Sequence, residues 1–175
     1  MTGRATTENS DDAALRAGLD DLLRHANQPM VIVTARDKRG GPAGCLVGFA
    51  SQCGIEPPRF AVWLSVRNHT FEAARDCDHL AVHVLARSQR ALAELFGSVT
   101  EHEDDKFARC EWDAGPFGLP ILRGAAGWFA GPARRVPSAG DHELFIVRPQ
   151  VTHGRVDERP LSFQDVKDLT AGNPA

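Results

Sequence analysis

Apolar residues recur along this chain with a helical period first and a strand period afterwards. Leu15, Leu19, Leu22 and Leu23 fall on one face of a helix. Ser10 can cap that helix, which runs from Asp11 to about Ala26; Asp11 and Asp12 suit its first turn, and Asn27-Gln28-Pro29 ends it. Residues 1–9 are polar and read as a disordered leader. Beyond Pro29 come short β-branched or apolar runs: Met30–Thr34, Gly44–Ala50, Phe60–Val66 and Leu80–Leu85. Turn residues Asp37–Pro42 and Glu56-Pro57-Pro58 separate the first three. His69–Arg75 predicts a short helix. Ser88 caps a second amphipathic helix, Gln89–Gly97, with Ala91, Leu92, Leu95 and Phe96 as its buried stripe. Two closing strands, Ala126–Phe129 and Leu144–Val147, are joined through Pro137–Asp141. A last amphipathic segment, Ser162–Leu169, groups Phe163, Val166 and Leu169.

Five or six short strands with a few helices predict an α+β, mainly β fold: an antiparallel barrel with decorating helices. The helices are too few and too uneven for repeated βαβ units. At 175 residues the chain fits one domain, read here as 10–175.

Composition narrows the function classes. With 42% hydrophobic and 25% charged residues the chain is globular, and a net charge of −3 with interspersed signs argues against nucleic acid or an anionic membrane as partner. No apolar run is long enough to span a bilayer, and the N-terminus lacks the run of a signal peptide. Cys45, Cys53, Cys77 and Cys110 show no C-x-x-C spacing and read as reduced thiols of a cytoplasmic protein.

No G-x-G-x-x-G follows a strand, and neither a phosphate-binding P-loop nor a G-x-S-x-G elbow is present. His79 and His83 share a strand face but stand about 13 Å apart, too far to hold one metal, so no metal site is expected. The acidic run Glu101–Asp105 reads as a solvated loop.

Three segments carry chemistry. They are Ala43–Pro58, which ends in Glu56-Pro57-Pro58; Leu64–Thr70, followed by Val82-His83-Val84-Leu85; and Gly140-Asp141-His142 entering the last strand. With Asp105-Lys106-Phe107 between them, their order and spacing resemble the flavin reductase-like family over about residues 28–150. The resemblance implies an FMN-binding split barrel of Greek-key type. It also implies a homodimer paired across apolar surface near Phe49, Trp63 and Trp128. The activity implied is an NAD(P)H:flavin oxidoreductase that hands reduced flavin to a monooxygenase. It places Gly140, Asp141 and His142 beside the nicotinamide, with His142 as the residue that positions it. Lys106 and Phe107 match the family's cofactor-side element.

The residue chemistry is compatible with that expectation. An FMN phosphate needs hydroxyls, N–H groups and a cation, which Ser51, Gln52, Cys53, Arg67, Asn68 and Thr70 can present. A flavin ring needs an apolar wall with polar edges, and Leu46, Val47, Gly48, Phe49 and His83 can form one. The chain departs from the family where many members carry Thr, Asn and Ser, having Leu46, Gly48 and Phe49 there. FMN and FAD therefore both stay open as cofactor, as do NADH and NADPH as co-substrate. A flavin carrier without reductase activity and an FMN-retaining oxidase stand as alternatives. Read without the resemblance, Gly48 marks a bulge, Ser51 a turn and His83 a half-buried histidine, and Gly140-Asp141 is an ordinary hairpin turn.

Overall fold

Strand β1 (Val31–Arg36) is the strand around which the cores assemble, because both of its faces are apolar. Val31, Val33 and Ala35 face one cluster of buried residues, while Ile32, with Met30 just before the strand, faces another. A strand buried on both sides reads as an unbroken apolar run, as Met30–Val33 does. β1 pairs with β2 (Pro42–Val47) on one side and β5 (His79–Val84) on the other. The sheet continues through β8 (Gly127–Val136), β9 (His142–Val147) and β4 (Arg59–Ser65) to β3 (Ala50–Gly54), and β10 (Val151–Gly154) pairs with the start of β8. A separate ribbon joins β6 (Trp112–Ala114) to β7 (Pro120–Leu122). The helices are α1 (Ala5–Leu23), α2 (His69–Arg75), α3 (Arg90–Ser98) and α4 (Phe163–Val166). The structure, a computed structural model, describes residues 5–23, 25–98, 105–137, 140–170 and 172. Every strand pair among them is antiparallel, and the chain is α+β, mainly β.

β8 curls the sheet. Its first part, to Pro132, pairs with β5, and its second, from Ala133, pairs with β9. At the changeover a Cβ on Gly131 would stand 1.9 Å from the Arg148 carbonyl oxygen, so only glycine lets the returning chain pass. The curl brings β1, β2 and β5 to face β4 and β9 across one core, where Val33, Val62, Leu80, Val82 and Phe145 meet. A second core, outside β1, is closed by α3 and α4 with Phe96, Phe107, Leu122 and Leu161.

Several boundaries differ from the sequence expectation. Helix α1 begins at Ala5, taking in residues 5–9 of the expected disordered leader, and stops at Leu23. The Ser10 side chain lies outside the described residues, as do Glu101–Asp104 of the acidic run and Ser138 and Ala139 of the closing loop. The leucine stripe of α1 is exposed. In α3 the buried small residue is Ala93 and Ala91 is exposed: the buried face centres on Ala93 and Phe96, with Leu92 and Leu95 partly buried at its edges. β8 runs seven residues beyond Phe129, and β3, β6, β7 and β10 are additional strands. They are short, and three of them (β3, β6 and β10) are largely exposed, while β7 is a buried run of only three residues. Phe163 points to solvent while Val166 is buried.

Candidate functional site

Strand alternation on β4 builds the site. Val62 and Leu64 point into the barrel core, which turns Trp63 and Ser65 to the outer face. The Trp63 amide donates to the Phe49 carbonyl at 2.9 Å, so the residue between β2 and β3 lies beside the indole's strand. A cleft of about 630 Å³ opens there, walled by Phe49, Phe60 and Trp63, with Ser51, Gln52 and Gln28 supplying polar edges. That volume and its mix of aromatic wall and few polar groups suit a planar heteroaromatic ligand.

His142 reaches the same place from β9. It is paired in register with Ser65 at the end of β4, and its ring meets the Phe49 ring edge-on with centroids 5.1 Å apart. The His142 Nδ1–H donates to Asp141 Oδ1 at 2.8 Å, which makes Nε2 the acceptor nitrogen of the neutral ring. The hydrogen bond from His142, more than the nearby Arg67 charge, holds the Asp141 carboxyl below the usual carboxylate range. The Val66 amide donates to the Asp141 carbonyl at 2.9 Å, locking the β4 exit to the β9 entry.

The expected phosphate cradle is divided. Ser51 stands opposite Ala61, and Ala61 is four residues, about 13 Å, along β4 from Ser65. Arg67, Asn68 and Thr70 follow Ser65 into α2. Ser51 and the segment Arg67–Thr70 are thus carried from opposite ends of β4. Asn68 caps α2, its Oδ1 accepting from the Thr70 amide at 3.0 Å. Thr70 is buried and its Oγ1 has no hydrogen-bond partner. A buried hydroxyl left so costs about 1–3 kcal/mol unless a ligand or water satisfies it. The exposed Arg67 precedes it by three residues. The residues present therefore fit a flavin ring at the aromatic cleft.

Other expected site residues are not brought there. His83 is fully buried in the outer core: its Nδ1–H donates to the Ile32 carbonyl at 3.2 Å and its Nε2 accepts from the Leu122 amide at 3.1 Å. Desolvation pushes its pKa down to about 4, against a smaller opposing effect of the Ile32 hydrogen bond. It staples β7 to β5 and is not among the residues that wall the cleft. Leu46, from the same face of the β1–β2 pair, packs on α3, where a Cβ on Gly97 would come within 2.9 Å of it. Val47 points into the barrel core, and Gly48 lies against the Met30 thioether. Lys106 is buried and donates to the Gly44 carbonyl at 3.2 Å, while Phe107 packs between Phe96 and Trp112. The Lys106-Phe107 pair closes the outer core. Cys53 is exposed near the end of β3. Gly140 and Asp141 are exposed and lead into His142.

Trp128 also leaves the expected apolar face. It stacks on His153 and belongs with Ala130 and Ile121, eight residues along β8 from Val136, the neighbour of Trp63's partner Leu144. Sequence reasoning missed Gln28, Pro29, Phe60 and Trp63 as cleft residues. The available signal was Trp63 itself, a large apolar residue at the alternate position of a strand whose other positions already fill the core. Among the described residues no group of three metal-ligating side chains occurs, and no helix is long and apolar enough to cross a membrane.

Residues 23–169 match the family described as Flavin reductase like domain. FMN reductase (NADH) RutF of Klebsiella variicola (strain At-22) is 30% identical over 168 residues, covering 94% of this chain and 99% of that protein. The reductase subunit HsaB of a flavin-dependent monooxygenase from Rhodococcus jostii (strain RHA1) is 32% identical over 124 residues, 69% of this chain and 62% of that one. The match spans only 44% of the length of another curated relative. The crystal structure of a flavin reductase domain protein from Arthrobacter sp. FB24 superposes with a TM-score of 0.75 at 24% identity, over 84% of this chain and 89% of that one, a likeness of fold.

Proposed function

This chain belongs to the flavin reductase like domain family, and on that premise we propose that it is an NADH-dependent flavin reductase acting on FMN, with FAD as the second candidate. The observation that carries the reading is the convergence of the aromatic cleft and the Asp141–His142 pair on Phe49. Phe49, Trp63, Ser51 and Gln52 would hold the flavin ring, and Arg67 and Thr70 its phosphate. When bound, the flavin supplies a hydride acceptor. The chain's own work is then positioning, since hydride transfer needs orientation more than acid-base help. Asp141 fixes the His142 tautomer so that Nε2 can accept a hydrogen bond from the nicotinamide carboxamide and hold that ring in place. The apolar walls exclude water from the transfer.

Reduced flavin would pass to a separate monooxygenase, a role supported by the likeness to HsaB. The protein would act in the cytoplasm as a homodimer of split barrels. The partly exposed aromatic face at Phe49 and Trp63 supports pairing there. Titrating the protein with FMN, FAD and riboflavin, followed by flavin fluorescence, tests the cofactor part. Saturable binding of FMN tighter than of riboflavin is expected; absence of any saturable flavin binding would overturn the reading.

A further inference from the structure

The part of the aromatic cleft walled by Gln28 and Pro29 lies outside the named strands and helices. A segment from the far end of the chain, residues 159–165, holds it in place. Leu161, fully buried, donates its amide to the Leu85 carbonyl at 2.8 Å and accepts from the Met30 amide at 2.9 Å. Ser162 forms a β-bridge with Pro29, and the Phe163 amide donates to the Gln28 carbonyl at 2.9 Å. The Gln164 amide donates to Asn27 Oδ1 at 3.2 Å. Of the three polar residues at the cleft, Ser51 and Gln52 each spend a side-chain donor on their own strand, at 3.2 and 3.1 Å. The Gln28 carboxamide makes no such bond among the described residues, so its donor and acceptor stay open to a ligand.

One carboxylate organises the segment. Asp165 Oδ2 accepts from the Ser162 amide at 3.0 Å and from the Ser162 hydroxyl at 2.6 Å. Its Oδ1 accepts from the Arg159 guanidinium and lies 3.3 Å from Arg87 Nε. Arg90 of α3 donates to the Asp165 carbonyl. The Ser162 hydroxyl, ahead of Arg159, holds the Asp165 carboxyl below the usual carboxylate range. A Ser-x-x-Asp pair ordinarily does no more than cap a helix. Here Arg87, beyond the end of β5, ties Asp165 to the sheet as well as to α4. The capped Ser162 is also the bridge partner of Pro29, and the next amide holds Gln28.

We propose that Asp165 is a positioning residue of the cofactor site: through Ser162 and Phe163 it fixes the wall formed by Gln28 and Pro29, against which the flavin ring packs. This role rests on the flavin-binding reading above and adds to it the residue that keeps one wall of the cleft ready. A wall already in place spares binding the cost of ordering it, and freeing one such side chain weakens binding about three- to tenfold. Asp165 is not among the residues that wall the cleft, so it acts on affinity for the flavin ring and not on hydride transfer.

The test is the riboflavin affinity of the full-length protein, followed by flavin fluorescence, because riboflavin lacks the phosphate and reports on the ring alone. Asp165→Asn keeps the volume and removes the charge, while Ser162→Ala removes the hydroxyl. Each is expected to weaken riboflavin and FMN alike by about three- to tenfold. In turnover the KM for FMN should rise by the same factor, with kcat at saturating FMN retained. Gln28→Ala should give a loss of similar size, and adding Asp165→Asn to it should give no further loss, since both act through one contact. Folded variants with a lowered Tm and wild-type riboflavin affinity would overturn the inference and leave Asp165 as the cap of α4. Losses that multiply in the double variant would overturn it too. Wild-type protein that binds no flavin would overturn the flavin reading itself, and this role with it.

Discussion

Phe49 and His142 lie edge to face at 5.1 Å, although one sits between β2 and β3 and the other opens β9, 93 residues later. The contact joins a cleft wall to the imidazole whose tautomer Asp141 sets. It ties the two chemical halves of the proposed site, the flavin ring and the nicotinamide, to one pair of side chains.

His142→Ala is expected to leave flavin affinity nearly unchanged and to lower kcat/KM for NADH about tenfold to a few hundredfold, the value of one or two positioning hydrogen bonds. Asp141→Asn should show a smaller loss of the same kind, because the amide still fits but no longer favours one tautomer. Steady-state kinetics on flavin-loaded variants check both. Unchanged kcat/KM in a folded His142→Ala would assign His142 to completing the β9 turn.

The phosphate end separates from the ring end by ligand. Arg67→Ala and Thr70→Val should weaken FMN by roughly 1.5–3 kcal/mol each while leaving riboflavin affinity almost intact, since only FMN carries the charge they meet. Ser51→Ala, at the other end of β4, should affect FMN and riboflavin alike. Parallel fluorescence titrations distinguish these patterns.

His83 makes stability depend on pH. Its pKa in the folded chain is about 4, below its unfolded value of 6.5, so the unfolded state takes up a proton first as pH falls. The staple is fully present above pH 6.5 and is lost progressively down to pH 4. Between about pH 6.5 and pH 5 this amounts to about 2 kcal/mol. Urea unfolding at those two pH values should show the loss in the wild type and not in His83→Gln, which starts less stable.

Gly131→Ala tests the curl of the sheet. The added Cβ meets backbone and not a flexible side chain, so a destabilisation of at least about 3 kcal/mol, or failure to fold, is expected. Gly124→Ala, whose Cβ would lie 3.5 Å from Leu92 in ordinary contact, should be close to neutral. Thermal unfolding of the pair compares them.

The sequence made the core strands legible because burial writes itself into composition: Met30–Val33 and Leu80–Leu85 are apolar runs, and the short helix expected at His69–Arg75 is α2, whose Asn68 cap, expected as a phosphate ligand, only the structure shows. It did not show β3, where Ser51, Gln52 and Cys53 are exposed and bury nothing. Nor did it reveal that α1's leucines face outward, since periodicity reports that a face is apolar and not what covers it. For the site, the contiguous Gly140-Asp141-His142 leads into β9 as expected, with His142 against Phe49. The structure instead buries His83 and Leu46 in the outer core by strand alternation and Lys106 from the turn Lys106–Arg109, a fact that depends on α3 and β7 lying across β1 and β2. Trp63 and Gln28 became neighbours only through the fold.

NADH reduces flavin at this cleft in the function proposed above. The direct measurement is loss of NADH absorbance on adding purified protein to NADH and free FMN, with riboflavin, FAD and NADPH in parallel. Catalytic turnover is expected, many NADH oxidised per protein, with FMN and NADH the favoured pair. Binding of FMN without NADH oxidation above the protein-free rate would contradict it and identify a flavin carrier instead.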